Sequence, residues 1–265
     1  MSKKLKRFLK KSTKQRAVKS RAKKNNAETA QKSLLMTMTN EPFQLARIHY
    51  DLRNKDELER IFSKLKCIEY DPSNKRWLWL YHAEAKGLKF RKSYKDILKK
   101  FHPVVIGSFF MSGEGRMYLD VNSFDRVVQA ILFFDEFLNC DILFLSHIQV
   151  VNKLFDAIPG IVPKPREYFD SNVPNKPDGT YHSLEALIFD DSLDQNKKQS
   201  MVYEYMDNVS RQPIDQVESL AIHFYEDGIE HIDVLLKMRN IVAYEHWRGN
   251  KDFTLKDVFN QMYSL

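Results

Sequence analysis

The most distinctive chemistry in the sequence lies in residues 1–24, which contain 12 of the 42 Lys and Arg residues and no Asp or Glu. Cations spread in this way can neutralise successive phosphates of a nucleic-acid backbone and release its counterions without reading any base. The predicted nucleic-acid-binding residues are Lys3, Lys4, Lys6, Arg7, Lys10, Lys11, Lys14, Arg16, Lys19, Arg21, Lys23 and Lys24. No Tyr or Trp is interleaved with them, which argues against base stacking by this segment. A solvated or targeting tail is the alternative interpretation.

A second group of candidates lies in one short stretch near the C-terminus. Its catalytic or ligand candidates are Glu226, Asp227, Glu230 and His231. On a continuous helix Asp227 and His231 share one face, as do Glu226 and Glu230, so a site with oxygen and nitrogen ligands is conceivable. Gly228 can equally interrupt the helix, and no HExxH motif is present. A polar helix face with a packing or capping role is therefore the alternative.

A third candidate is the tripeptide Glu84-Ala85-Lys86, which has the Glu-x-Lys order of one large nuclease fold. Asp71 upstream could supply a second carboxylate for Mg²⁺, while Lys86 would orient water or stabilise charge. The tripeptide is common by chance, and an exposed pair beginning a helix is the alternative interpretation. The histidines show no zinc spacing, and the sequence predicts neither a metal site nor a cofactor.

The elements that must position these residues are organised around one dense apolar stretch. His102–Met111 is typical of a buried strand, and the turn at 112–115 leads into a second strand, Arg116–Val121. Ser123 is a predicted helix N-cap. Apolar residues at helical spacing then predict a helix from Phe124 to Leu138 that is covered on several sides.

The rest of the first half predicts a further helix and a second hairpin. The helix begins at Asn54 and ends near Leu65, and the hairpin strands are Cys67–Tyr70 and Arg76–Tyr81. Two segments are ambiguous, since residues 42–52 fit a short helix or a strand and residues 142–155 fit either as well. Two hairpins with helices predict an α+β fold with a small antiparallel sheet.

The composition changes at residues 159–179, which hold five of the nine prolines and predict a long loop or linker. Helices are predicted beyond it at His182–Phe189, Gln199–Val209, Pro213–Phe224, Ile229–Val242 and Leu255–Met262. The predicted organisation is a disordered basic tail (1–26), an α+β domain (27–158), a Pro-rich linker (159–181) and a mainly helical region (182–265) that can pack on the α+β domain.

Composition separates the tail from the remainder of the chain. Without residues 1–24, the chain holds 30 basic and 35 acidic residues, so the basic pI belongs to the tail. The apolar content of 43% is ordinary for a globular protein with a sizeable core. Cys67 and Cys140 form no CxxC motif and no secretory signal precedes them, which predicts a reduced, intracellular compartment. No apolar run approaches the roughly 20 residues that span a bilayer.

Three segments carry a resemblance to a known family. They are Ile68–Phe90, which includes WLWLYHAEAKGLKF, His102–Asp135 and Ala221–Asn250. In these segments the chain resembles an uncharacterised family of cyanobacterial proteins. That family has no assigned activity, so the resemblance implies no catalytic residue. It implies a cytoplasmic protein, or one of the plastid stroma if the source is an alga.

The favoured function is that of a non-enzymatic accessory or binding protein whose basic tail contacts nucleic acid or a ribosome without sequence specificity. The acidic remainder of the chain would bind a further partner, such as a protein. A metal-dependent hydrolase or nuclease is one alternative, based on the second and third candidate groups. A membrane-surface or scaffold protein is another, because Leu5, Phe8 and Leu9 can form an amphipathic start to the tail.

Overall fold

The structure, a computed structural model, describes residues 32–113, 115–170, 190, 192, 194–222 and 228–263. Contacts divide the chain into residues 1–34 and residues 35–265, and every strand and helix given below belongs to the second unit. The predicted basic tail and the helix predicted at His182–Phe189 lie outside the described residues, as does the second half of the Pro-rich stretch. None of the described helices is long and apolar enough to cross a membrane.

The centre of the fold is one seven-stranded sheet in which all neighbouring strands are antiparallel. The strands are β1 (Ala46–Leu52), β2 (Ile68–Asp71), β3 (Arg76–Leu80), β4 (Val105–Ser112), β5 (Arg116–Val121), β6 (Leu143–Val151) and β7 (Val217–Ala221). Their order across the sheet is β2-β3-β4-β5-β1-β6-β7. The sheet thereby confirms the predicted α+β class.

Six α-helices accompany the sheet in the described part of the chain. They are α1 (Lys55–Phe62), α2 (Phe124–Asp135), α3 (Arg166–Phe169), α4 (Gln195–Arg211), α5 (Gly228–Arg248) and α6 (Leu255–Tyr263). Side-chain caps start several of them, because the first N–H groups of a helix have no partner within it. Asn54 Oδ1 accepts from the N–H of Glu57 (3.1 Å), and Ser123 Oγ accepts from the N–H of Arg126 (3.3 Å).

The main core lies between one face of the sheet, called the inner face here, and helices α1, α2 and α5. Strand residues that alternate along the chain share this face, so Met117, Leu119 and Val121 of β5 are all buried in it. Gly107 of β4 leaves room for large side chains of the neighbouring strands, because a Cβ there would lie 2.8 Å from Leu119 Cδ1 and 3.2 Å from Trp79 Cε3. The inner face is therefore apolar and tightly packed around Gly107.

The structure confirms most of the predicted elements of the first half. Both hairpins form, with β4 paired to β5 and β2 paired to β3. The two ambiguous segments are strands β1 and β6, which pair with each other in the middle of the sheet. Local pattern alone could not decide between helix and strand there, since the strand hydrogen bonds come from distant segments.

The prediction of a helix at Pro213–Phe224 is wrong. The described part of that segment contains strand β7, which pairs with β6 along Val217–Ala221. Its apolar residues fit one helical face, but pairing with an open sheet edge overrides that spacing. The second half of the chain is consequently only partly helical, with α4, α5 and α6 around one strand.

Candidate functional site

The outer face of the sheet, opposite helices α1, α2 and α5, carries a row of rings that runs across four strands. Phe110 of β4 is the cross-strand partner of Tyr118, Tyr118 of His49, and His49 of His147. The ring centroids of Phe110 and Tyr118 lie 5.2 Å apart, and those of His49 and His147 lie 4.2 Å apart at 6° between planes. These four residues are called the aromatic row. Arg76 of β3 extends it as the partner of Phe110.

A parallel row of polar side chains lies beside the aromatic row. Its members are cross-strand partners in the order Ser108, Asp120, Arg47, Gln149 and Ser219. Buried polar groups are costly unless they are hydrogen-bonded, so a polar row of this kind needs a network to hold it. The network is centred on Arg47.

Arg47 is 4% exposed and holds two carboxylates at once. Its Nε and Nη2 donate to Asp120 Oδ1 (2.6 Å) and Oδ2 (3.0 Å), and its Nη1 donates to Asp170 Oδ1 (2.6 Å). Its guanidinium carbon also lies 3.9 Å from the ring centroid of Tyr118. Burial alone would lower the pKa of Arg47, but the hydrogen bonds to Asp120 and Asp170 and the charge of Asp120 raise it. Arg47 is therefore a fixed cation that binds β1 to β5 and to the end of α3.

A cleft of about 440 Å³ lies on the same face, between strands β3 to β5 and the start of α3. The cations among its lining residues are Arg76, Lys164 and Arg166. Arg76 is paired with Asp71 (3.0 Å), whereas neither Lys164 nor Arg166 has a carboxylate partner in the part of the chain that the structure describes. Both Lys164 and Arg166 are exposed.

The remaining lining of this cleft includes one aromatic ring and several hydrogen-bonding groups. The guanidinium carbon of Arg166 lies 5.7 Å from the ring centroid of Phe110. The polar lining residues are Asn74, Ser108, Asp120 and Asn122. A concave site with exposed cations, an aromatic ring and a few polar groups suits an anionic ligand that also has an apolar face.

At the other end of the aromatic row, the two histidines adjoin a fully buried amide. His49 Nε2 donates to Gln149 Oε1 (2.8 Å), and Ser146 Oγ lies 3.1 Å from His147 Nδ1. Burial lowers the pKa of His49. Gln149 is 0% exposed, and among the described residues its Nε2 has no hydrogen-bond partner. At this end His147 and Gln149 are buried and His49 is half-buried, whereas Lys164 and Arg166 of the cleft are exposed.

A second buried ion pair lies away from the outer face. Arg126 of α2 and Glu41 are both almost completely buried, with 3.7 Å between Arg126 Nη2 and Glu41 Oε2. Arg126 Nη2 also donates to Thr39 Oγ1 (2.8 Å), and burial lowers the pKa of Arg126 to about 10. The pair fixes the turn that precedes β1 against α2 and offers no surface to a ligand.

A second pocket, of about 430 Å³, is mostly apolar and lies between α2, β6 and the start of α5. Its lining includes Tyr50, Ile131, Leu145 and Ile232. Ile222 and Gly228 also line it, and these are the two residues that flank the undescribed stretch 223–227.

The predicted candidates do not meet at the outer face. The cations of the basic tail, together with Glu226 and Asp227, lie outside the described residues. Glu230 and His231 are exposed in the first turn of α5. Within the described residues there is no group of three or more His, Cys, Asp or Glu side chains that could hold a metal ion.

The Glu-x-Lys tripeptide lies in a short 3-10 helix, Ala83–Gly87. The carboxylate of Glu84 accepts the backbone N–H groups of Lys66 (3.3 Å) and Cys67 (2.9 Å), and these contacts join the helix to the chain before β2. Lys86 Nζ lies 4.8 Å from the ring centroid of Tyr94. Asp71 is bound instead to Arg76 and Asn74.

Sequence reasoning missed the residues of the outer face because they are contributed by strands far apart in the chain. The available signal was strand alternation: Arg116, Tyr118 and Asp120 are interleaved with the buried residues of β5, which predicts a polar second face. The partners on β1 and β6 could not be inferred, since neither segment could be assigned as a strand.

No protein-family model, curated protein or solved structure matches the chain. The resemblance to a cyanobacterial family therefore stays a prediction.

Proposed function

We propose that this is a non-enzymatic binding protein that holds nucleic acid through its phosphates. The basic tail and the cleft on the outer face are the two contact regions. The observation that carries the proposal is the pair of exposed cations, Lys164 and Arg166, which line a cleft of about 440 Å³ without carboxylate partners among the described residues. Exposed cations of this kind can exchange counterions for phosphates.

The tail and the cleft would contribute differently to binding. The tail has positive charge but no Tyr or Trp, so it can bind along the phosphate backbone of a nucleic acid without orienting its bases. The cleft has a fixed shape, because its floor is made of paired strands β4 and β5 and because Arg47 binds β5 to the end of α3. The tail would therefore supply affinity for nucleic acid, and the cleft would position it.

Binding is favoured over hydrolysis at the Glu-x-Lys tripeptide by the contacts of Glu84 and Lys86. Glu84 accepts two backbone N–H groups, and Lys86 contacts Tyr94. These contacts give both residues a structural role at the edge of the sheet. Lys164 and Arg166, in contrast, have no carboxylate partner among the described residues.

The test is binding of the full-length protein to fluorescent RNA and DNA oligonucleotides, measured by anisotropy across a salt series. Replacing Lys164→Glu and Arg166→Glu together is expected to lower affinity at least tenfold and to reduce the slope of log K against log salt by about 1 for each phosphate that is no longer neutralised. The matched control is Lys95→Glu with Lys251→Glu, which reverses two exposed lysines outside the cleft. Replacing Lys3, Lys4, Lys6 and Arg7 by Ser in the full chain tests the tail.

Absence of binding to any oligonucleotide, or affinity that does not change with salt, would overturn the proposal. If the cleft variant and its matched control lose the same affinity, the cleft is not a contact region for nucleic acid. Magnesium-dependent cleavage of the oligonucleotides during the titration would instead support a nuclease.

A further inference from the structure

We infer that the cleft receives one nucleotide of a single strand, with its base against the ring of Phe110 and its phosphate at Lys164 and Arg166. The inference rests on the proposed function, since it specifies which form of nucleic acid the cleft accepts. A base within a duplex has both faces covered by its neighbours, so only an unpaired base can stack on a protein ring.

The ring of Phe110 is held in place for such a contact. It is half-buried, it lines the cleft, and it is stacked on Tyr118 at 5.2 Å with 23° between the planes. Tyr118 is in turn backed by Arg47, whose guanidinium is locked by Asp120. The ring therefore loses little conformational freedom when a base stacks on it.

The charges lie where a nucleotide needs them. The guanidinium carbon of Arg166 lies over the Phe110 ring, 5.7 Å from its centroid, where a base would stack. Arg166 is exposed, so its guanidinium can move from the ring to the phosphate when the base binds. Lys164 precedes it by two residues and lines the same cleft. Guanidinium groups bind phosphate oxygens bidentately and also stack on planar groups, which suits Arg166 to this position.

The size and polar lining also fit one nucleotide. The cleft volume of about 440 Å³ is within the usual range of small-molecule sites, roughly 300–1,000 Å³. Asn74, Ser108 and Asn122 offer neutral donors and acceptors to sugar hydroxyls or base edges. Asp120 accepts from Arg47 through both oxygens, so its carboxylate is partly neutralised where it lines the cleft. A phosphate can therefore be bound near it.

The experiment compares a 12-nucleotide single strand, as oligo(U) and as oligo(dT), with a blunt duplex of equal length at one salt concentration. The full-length protein is expected to prefer the single strands at least tenfold. Phe110→Leu keeps an apolar side chain but removes the ring, and it should lower single-strand affinity about fivefold or more while leaving duplex affinity unchanged. Phe110→Trp keeps a ring and should bind single strands as the parent does.

Phe101→Leu is the matched control, because it also removes an exposed ring but lies outside the cleft, and it should bind single strands as the parent does. Unfolding midpoints in urea identify any variant whose fold is weakened, and Phe110→Trp then reports on the ring independently of Phe110→Leu. Equal affinity for single strands and duplex, or equal losses for both in Phe110→Leu, would overturn the inference while leaving the proposed function in place. Failure of the parent protein to bind any of the probes would overturn the proposed function itself.

Discussion

The two faces of the sheet are built from alternate residues of the same strands, yet they differ in what holds them. On the inner face, apolar side chains such as Trp79 and Phe109 pack under helices α1, α2 and α5. On the outer face, Arg47 and Asp120 are nearly as buried, at 4% and 7% exposed, but are held by hydrogen bonds and charge. A buried ion pair is usually no better for stability than apolar packing, so the two faces should respond differently when one side chain is removed.

Two consecutive residues of β4 lie on opposite faces of the sheet. Phe109 is 0% exposed and contacts Phe62 and Phe134 on the inner face, while Phe110 is half-buried on the outer face. Phe109→Ala is expected to lower the free energy of unfolding by about 3–5 kcal/mol, because it leaves a cavity in the core. Phe110→Ala should cost about 1–2 kcal/mol, because it removes less buried surface. Urea denaturation of both variants checks this, and equal losses would contradict the assignment of the two faces.

The outer network should be nearly as sensitive when only one of its partners is removed. Arg47→Met leaves Asp120 buried without its cation and is expected to cost about 3 kcal/mol near neutral pH. Replacing Asp120→Leu as well should restore most of that loss, since no uncompensated charge remains. The two variants and the parent are compared by urea denaturation.

The pH dependence of the Arg47→Met variant provides a further check on this network. Burial raises the pKa of Asp120, and without Arg47 nothing comparable opposes that rise. The folded variant therefore binds a proton at a higher pH than the unfolded chain does, so its loss of stability should shrink as the pH falls. A loss that is independent of pH would show that packing, not charge, dominates at this position.

The smallest effect is expected at the histidine end of the aromatic row. Burial lowers the pKa of His49 below its usual value of 6.5, so between these two values the unfolded chain binds more protons than the folded one. The contribution of His49 to stability is complete above about pH 6.5 and is lost as the pH falls through this window. Unfolding midpoints measured between pH 7.5 and 5 should decline less in His49→Gln than in the parent. His231→Gln, at an exposed position of α5, is the matched control and should follow the parent.

Local pattern was sufficient for the elements whose signals lie within one segment. Asn54 and Ser123 cap the helices they were expected to cap, and both hairpins form across their turns. These features depend on neighbours a few residues apart, so no distant contact is needed to select them. The residues from Pro213 onward show the opposite case, because β7 is a strand only through its pairing with β6.

The amino-acid sequence was enough to establish the α+β class, the core of the first half and the separation of a basic tail from a mildly acidic remainder. The outer face was decided only by the tertiary structure. Its aromatic row joins residues 49, 110, 118 and 147, and its cleft adds residues 164 and 166. Each of these side chains is ordinary in its own segment, because an alternating strand specifies which residues share a face but not which distant strand lies beside them. Pairing across the sheet supplies that missing information and assembles the site.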